Sequence, residues 1–176
     1  MIAAEELDAA WEDVTVVQAP IDPERFPRQV AGGSTSIPSL WMPMRQAGAV
    51  AREMLVSAAA LRWEVDASQV ETRDSLVVHP ATGRTLSYRE LASAAAQLPV
   101  PDPDDVPLQS PDQWTLIGKR ITGVDNRPLV TGAPLFGIDK QLPDMVHATY
   151  VKCPAAGGRV KSANLEAVKQ QPGVID

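Results

Sequence analysis

The sequence predicts an α+β fold, on three observations. Between Leu40 and Leu61 apolar residues recur at spacings of three and four, the mark of one long amphipathic helix. From Gln69 the period shortens, with Val70-Glu71-Thr72 and Leu76-Val77-Val78 reading as short strands. Beyond Trp114, short apolar runs alternate with Gly, Pro and Asp turns, a β-rich pattern. The 176 residues suffice for one ordinary domain or two small ones. A hydrophobic content of 44% belongs to a folded chain.

In chain order, Met1 to Ala10 reads as an amphipathic helix containing Glu5-Glu6 and Leu7, with no N-cap before it. A short strand at Val14–Val17 and a Pro- and Asp-rich loop from Ala19 to Arg28 follow. The long helix is expected to begin between Pro38 and Pro43, with Pro43 in its first turn, where a missing N–H costs nothing. Leu40, Met44, Ala47, Ala51, Met54, Leu55, Ala58 and Leu61 form its apolar face. Ala47-Gly48-Ala49 keeps its middle thin enough for another backbone to pack closely. After the strands, Pro80–Gly83 makes a turn before Arg84-Thr85-Leu86. Ser87 and Glu90 have capping-box spacing and open a helix to about Leu98. His79 reads as a surface or hydrogen-bonded residue, because no second ligand stands at metal-binding spacing from it.

The stretch with chemical potential is Gly32-Gly33-Ser34-Thr35-Ser36, immediately before the long helix. Paired glycines let the backbone approach a ligand and take positive φ. Three hydroxyls donate to phosphate oxygens or cap the helix, and the helix N-terminus adds free N–H groups and a positive dipole end. On residues alone, a plain helix cap after a flexible loop is the favoured reading; an anion site is the sharper one.

Residues 99–113 divide the chain. Five prolines and the acidic run Asp102, Asp104, Asp105 predict an extended, solvated linker. Residues 1–98 and 114–176 are then separate parts. In the second, strands are expected at Trp114–Gly118, Leu129–Gly132, Leu135–Ile138, Met145–Lys152 and Arg159–Ser162, followed by a helix from Leu165 to Gln170. The opening and closing elements look interrupted, which predicts further structure beyond both ends.

Charge and cysteine content exclude several functions. A net charge of −6 without any basic stripe argues against nucleic acid. No apolar run approaches the roughly 20 residues of a membrane span. A single cysteine, Cys153, excludes internal disulfides and all-cysteine metal sites. His147 and Cys153, on one predicted strand, stand about 20 Å apart at ~3.3 Å per residue, too far for a dyad. Ser34 and Ser36 lack a Gly-x-Ser-x-Gly elbow. A hydrolase is therefore disfavoured, and no catalytic or metal-ligating residue is assigned.

Several short motifs, in order, carry a family resemblance. They include Ala4-Glu5-Glu6-Leu7-Asp8, Gly32–Ser36, Trp41-Met42-Pro43-Met44-Arg45 and Val78-His79-Pro80. Leu86-Ser87-Tyr88, Leu98–Pro101, Leu116-Ile117-Gly118-Lys119, Val130-Thr131-Gly132, Phe136–Asp139 and Leu142-Pro143 continue the series. With them the chain resembles the molybdopterin-binding large subunit of the xanthine dehydrogenase and aldehyde oxidase family. Within that family it is similar to the branch of isoquinoline 1-oxidoreductase beta subunits.

The resemblance implies that residues 1–98 are part of a molybdopterin-binding domain and that residues 114–176 begin a hammerhead-like α+β domain. It implies that Gly32, Gly33, Ser34, Thr35 and Ser36 hold the cofactor, molybdopterin cytosine dinucleotide with molybdenum, and so reverses the preference for a plain cap. Relatives hydroxylate aldehydes or N-heterocycles with water-derived oxygen and pass electrons to iron–sulfur clusters on a separate small subunit. The family's Gly-Gln-Gly motif and late catalytic glutamate are absent from these residues, so the segment alone is expected to be inactive. Its expected partners are the remainder of the large subunit, or a complementary chain, and the iron–sulfur subunit. The family often has Gly where Asp144 stands and Lys where Leu129 stands. The alternative is a non-catalytic fragment serving as a protein-interaction module. Both cytoplasm and periplasm suit the family, so location stays open.

Overall fold

The computed structural model describes residues 1–26 and 28–175. It forms two compact units, Met1–Arg127 and Pro128–Asp176. The first is organised on α2, Ser36–Trp63, a helix of 28 residues. It begins earlier than the proline spacing predicts, and Pro43 lies inside it. There the proline leaves the Ser39 carbonyl without its usual donor and crowds it, a defect costing about 3 kcal/mol in an ordinary helix. Packing along the rest of α2 offsets this.

The short helix α1, Ile2–Leu7, ends at Asp8, whose left-handed backbone (φ 56°) returns its N–H to the carbonyls of Ala4 and Glu5. It lies against the thin middle of α2. A Cβ added to Gly48 would stand 2.4 Å from the Ala3 carbonyl oxygen, so only glycine permits this approach.

The sheet is a three-stranded antiparallel meander of β1 (Glu71–Arg73), β2 (Leu76–His79) and β3 (Arg84–Ser87). Arg73 pairs with Leu76 across the two-residue loop Asp74-Ser75, and both loop residues have positive φ (47° and 65°). Such a turn matches strand twist but normally uses Asn or Gly. Here the turn is pinned to its surroundings. Ser75 N–H donates to the Asp8 carbonyl at 3.0 Å, Tyr88 N–H to the Ser75 carbonyl at 3.0 Å, and Ala10 N–H to Ser75 Oγ at 3.0 Å. Helix α3, Tyr88–Ala95, starts with the expected capping box of Ser87 and Glu90.

Leu55 and Ala58–Ala60 of α2, Val70, Val77, Leu86, Leu91 and Ala95 make the core. Full burial of Leu91 alone contributes about 2 kcal/mol by transfer. The expected single face of α2 is only partly buried. Leu55 and Ala58 are inside, whereas Leu40, Met44 and Leu61 are exposed. The helix packs on α1 at Gly48 but on the sheet and α3 through Leu55 and Ala58–Ala60, and these partners select different faces.

The proline-rich stretch is irregular, yet it is not simply a solvated linker. Val106 is buried. Arg52 donates to the Pro107 carbonyl at 3.0 Å, and Gln46 donates to Asp104 at 2.8 Å. Residues 104–117 thus form a strap bonded to α1 and α2, and the first compact unit continues past them.

Two strand expectations require correction. Val14–Val17 lies in no strand, and neither does any described residue from 114 to 175. A strand persists only where a neighbour takes its N–H and C=O groups, and none pairs with these segments among the described residues. Ile138, Tyr150, Val151 and Val160 remain more than four-fifths exposed. The second unit contains the end of α4 (Asn126–Val130) and α5 (Leu165–Lys169), the latter close to its predicted span. Asp144, where the resembled family often has Gly, adopts φ 58°, a region glycine enters without cost. Among the described residues no helix is long and apolar enough to cross a membrane.

Candidate functional site

The Gly32–Ser36 turn is an open, donor-rich surface at the start of α2. Gly33 and Ser34 both have positive φ, 59° and 53°, which reverses the chain just before the helix. Thr35 stands at the N-cap without a side-chain bond to the first turn. Its hydroxyl instead donates to the Gly32 carbonyl at 2.9 Å and accepts from Nη2 of Arg28. Pro38 has no N–H, and Ser39 N–H donates to the Thr35 carbonyl at 3.0 Å. The backbone donors of the first turn are therefore those of Ser36 and Ile37. Gly32, Gly33 and Ser34 are exposed, and Thr35 and Ser36 half-buried. A Cβ on Gly32 would meet nothing within 4 Å, so its lack of a side chain leaves room above the turn rather than serving internal packing.

This donor set fits an anionic group such as a dinucleotide pyrophosphate: hydroxyls, helix N–H groups, and the cation of Arg28 bonded to Thr35. Among the described residues no ion pair involves Arg28. The turn is a surface rather than a pocket. An apolar groove of about 680 Å³ between the C-terminal half of α2 and residues 98–101, and a cleft of about 790 Å³ beside Tyr88, both lie elsewhere.

The most deeply buried charges were not singled out by the sequence as a site. Glu5 and Glu6, adjacent on α1, are 1% and 0% exposed. Glu5 accepts the N–H groups of Thr115 and Leu116, each at 2.8 Å, together with that of Ile117 and the Thr115 hydroxyl. Burial alone pushes its carboxyl up, but the donated bonds outweigh burial and hold it below the usual carboxylate range. Glu6 accepts Arg45 Nε at 2.6 Å on one oxygen and Gln109 N–H at 2.9 Å on the other. Arg45 in turn donates to the Gln109 carbonyl, and its guanidinium carbon lies 5.5 Å from the Trp41 ring and 5.6 Å from that of Trp114. The signal for this cluster in the sequence is two acidic residues within an otherwise apolar helical turn, which is costly unless both are satisfied.

His79 is buried rather than on the surface. Its Nδ1 lies 2.7 Å from the Thr82 hydroxyl, and its ring is 6.2 Å from that of Trp63. Tyr88 donates its hydroxyl to the Leu7 carbonyl at 2.6 Å, and burial and then the Asp8 charge push its phenol up. Cys153 is exposed, outside any strand. Among the described residues no cluster of three His, Cys, Asp or Glu side chains is arranged to hold a metal.

Comparison with known proteins decides the family. A family profile described as "Molybdopterin cofactor-binding domain" matches residues 1–169. The chain belongs to the molybdopterin cofactor-binding domain family. It is 30% identical to the beta subunit of isoquinoline 1-oxidoreductase from Brevundimonas diminuta, over 97% of this chain and 27% of that protein. It is 34% identical to a nicotinate dehydrogenase subunit of Pseudomonas putida, over 99% of this chain and 15% of that protein. A membrane-bound aldehyde dehydrogenase [pyrroloquinoline-quinone] of Gluconacetobacter polyoxogenes is 25% identical over 99% of this chain and 23% of its own length. The chain thus spans about a quarter or less of these relatives. The expected family and the α+β class of its fold both hold.

Proposed function

We propose that this chain is part of the molybdenum-cofactor-binding subunit of an oxidoreductase acting on aldehydes or N-heterocycles, and that Gly32, Gly33, Ser34, Thr35 and Ser36 bind the cofactor's anionic portion. The observation that carries this reading is an uncapped helix N-terminus, preceded by two positive-φ residues and flanked by Arg28, in a chain of the molybdopterin cofactor-binding family. When bound, the cofactor supplies two-electron oxidation with oxygen derived from water. The residues of this chain bind and orient: Gly32 leaves the backbone open, Ser34 and Ser36 present hydroxyls, and the N–H groups of Ser36 and Ile37 face negative charge. The same proposal includes a cytosine dinucleotide form, iron–sulfur clusters on a separate small subunit, and a complementary part of the large subunit. It also includes the hammerhead-like reading of residues 114–176, which the order of its motifs supports rather than any secondary structure.

The test replaces Ser34 and Thr35 together by Ala in the complete assembly and measures molybdenum and pterin per chain. Lowered occupancy with an unchanged melting temperature is expected. Full occupancy would remove the turn from the cofactor site. Native mass spectrometry of the protein from its own source tests the assembly: release of a pterin dinucleotide from a complex heavier than 18.9 kDa supports it, whereas a bare chain at that mass overturns it.

A further inference from the structure

We propose that Arg45 is a positioning residue for the Gly32–Ser36 turn, acting as a brace across the Pro43 defect of α2. The inference rests on the cofactor-binding reading of that turn. Pro43 separates Ser36–Met42, which carries the turn, from the remaining length of α2. Two turns of helix do not hold by themselves, and this segment gains little from burial: Ile37 is 63%, Leu40 39% and Met42 46% exposed. The helix bonds that continue past Pro43 keep it in line with the rest of α2, and side-chain contacts across the defect add to them.

The Arg45 cluster makes such contacts from both sides of the proline. Trp41 precedes the defect and Arg45 follows it, and the guanidinium lies against the Trp41 ring. The same guanidinium lies against Trp114, whose ring meets that of Trp41 edge-on at 5.8 Å and 77°. Its Nε is anchored on Glu6, whose second oxygen holds the Gln109 N–H. One planar cation thus joins the segment before the proline, the helix after it, α1 and the strap. Only a flat group with several donors can stack on rings and bond to a carboxylate and a carbonyl together, a role lysine cannot reproduce.

Arg45→Lys in the full chain is the direct test, because it keeps a positive charge for Glu6 while removing the flat contact with both rings. The expected result is about tenfold faster hydrogen exchange at the Leu40 and Trp41 amides, the scale of a lost cation–π contact, with Val77 and Leu91 unchanged. Trp41→Leu leaves the ion pair intact and is expected to do the same, so a failure of Arg45→Lys to fold leaves a second variant that decides. Unchanged exchange at Leu40 and Trp41, or equal acceleration throughout the core, overturns the brace. In the complete assembly Arg45→Lys also lowers molybdenum occupancy. Failure of the cofactor reading shows separately, as full occupancy in the Ser34 and Thr35 variant whatever Arg45 does.

Discussion

The carboxylate of Glu5 accepts the backbone N–H of Leu116 at 2.8 Å, across 111 residues of chain. With Thr115 and Ile117 donating to the same side chain, one residue of α1 holds three consecutive N–H groups of the strap. Replacing Glu5 by Ala leaves those donors without their acceptor. A loss of about 3 kcal/mol is expected, read as a lower denaturant midpoint, and Glu5→Gln is expected to lose less because its amide oxygen still accepts. A midpoint unchanged in Glu5→Ala would show that these bonds contribute nothing net to folding.

The same contact has a pH signature. The folded carboxyl of Glu5 is held below its ordinary value, so its stabilisation is fully present above the unfolded value of about 4.3. It is lost as pH falls through the lower folded value. Acid titration of stability is therefore expected to be shallower in Glu5→Gln than in the parent chain below about pH 4. Parallel curves would mean that Glu5 has the same affinity for protons folded and unfolded.

Arg45 and Arg52 both bond from α2 to strap carbonyls, yet they should differ. Arg52→Met removes an exposed bond to Pro107 and is expected to change stability by less than about 0.5 kcal/mol. Arg45→Met strands the fully buried carboxylate of Glu6 and is expected to cost about 3 kcal/mol. Thermal melts of the two variants measure the contrast, and equal losses would contradict the buried role of the Arg45 pair.

Two glycines separate fold from site. Gly48→Ala would place a Cβ 2.4 Å from the Ala3 oxygen and 2.8 Å from Glu6 Cβ. Since α1 must move, a loss of about 2 kcal/mol is expected. Gly32→Ala meets nothing, so the melting temperature should hold while cofactor occupancy in the complete assembly falls. Occupancy unaffected by a Gly32 side chain would mean that no ligand approaches that backbone.

Much of the first unit was legible because its signals are local. The capping box at Ser87 and Glu90, the close approach at Gly48 and the strand segments on either side of the Pro80–Gly83 turn each follow from a few neighbouring residues, whereas the antiparallel pairing is seen only in the structure. The start of α2 was misplaced because proline is tolerated at a helix start and, at a cost, inside one. The long-range contacts of Arg45 with Trp114 and Glu6, two residues past Pro43, are not visible in that local sequence. The strands expected after Trp114 failed for a related reason. Alternating apolar residues state a preference for β structure, but a partner edge decides whether it forms.

Composition, period and turn chemistry in the sequence determined the fold class, the long helix, the small sheet and the glycine–hydroxyl turn proposed as the cofactor site. Tertiary structure alone decided that Glu5, Glu6 and Arg45 are buried together and that a proline-rich stretch is a strap. It also decided that α2 runs through its own proline. The physical reason is distance along the chain. Hydrogen bonds between residue 5 and residues 115–117 leave no local periodicity, and buried charges differ from surface ones only in what surrounds them after folding.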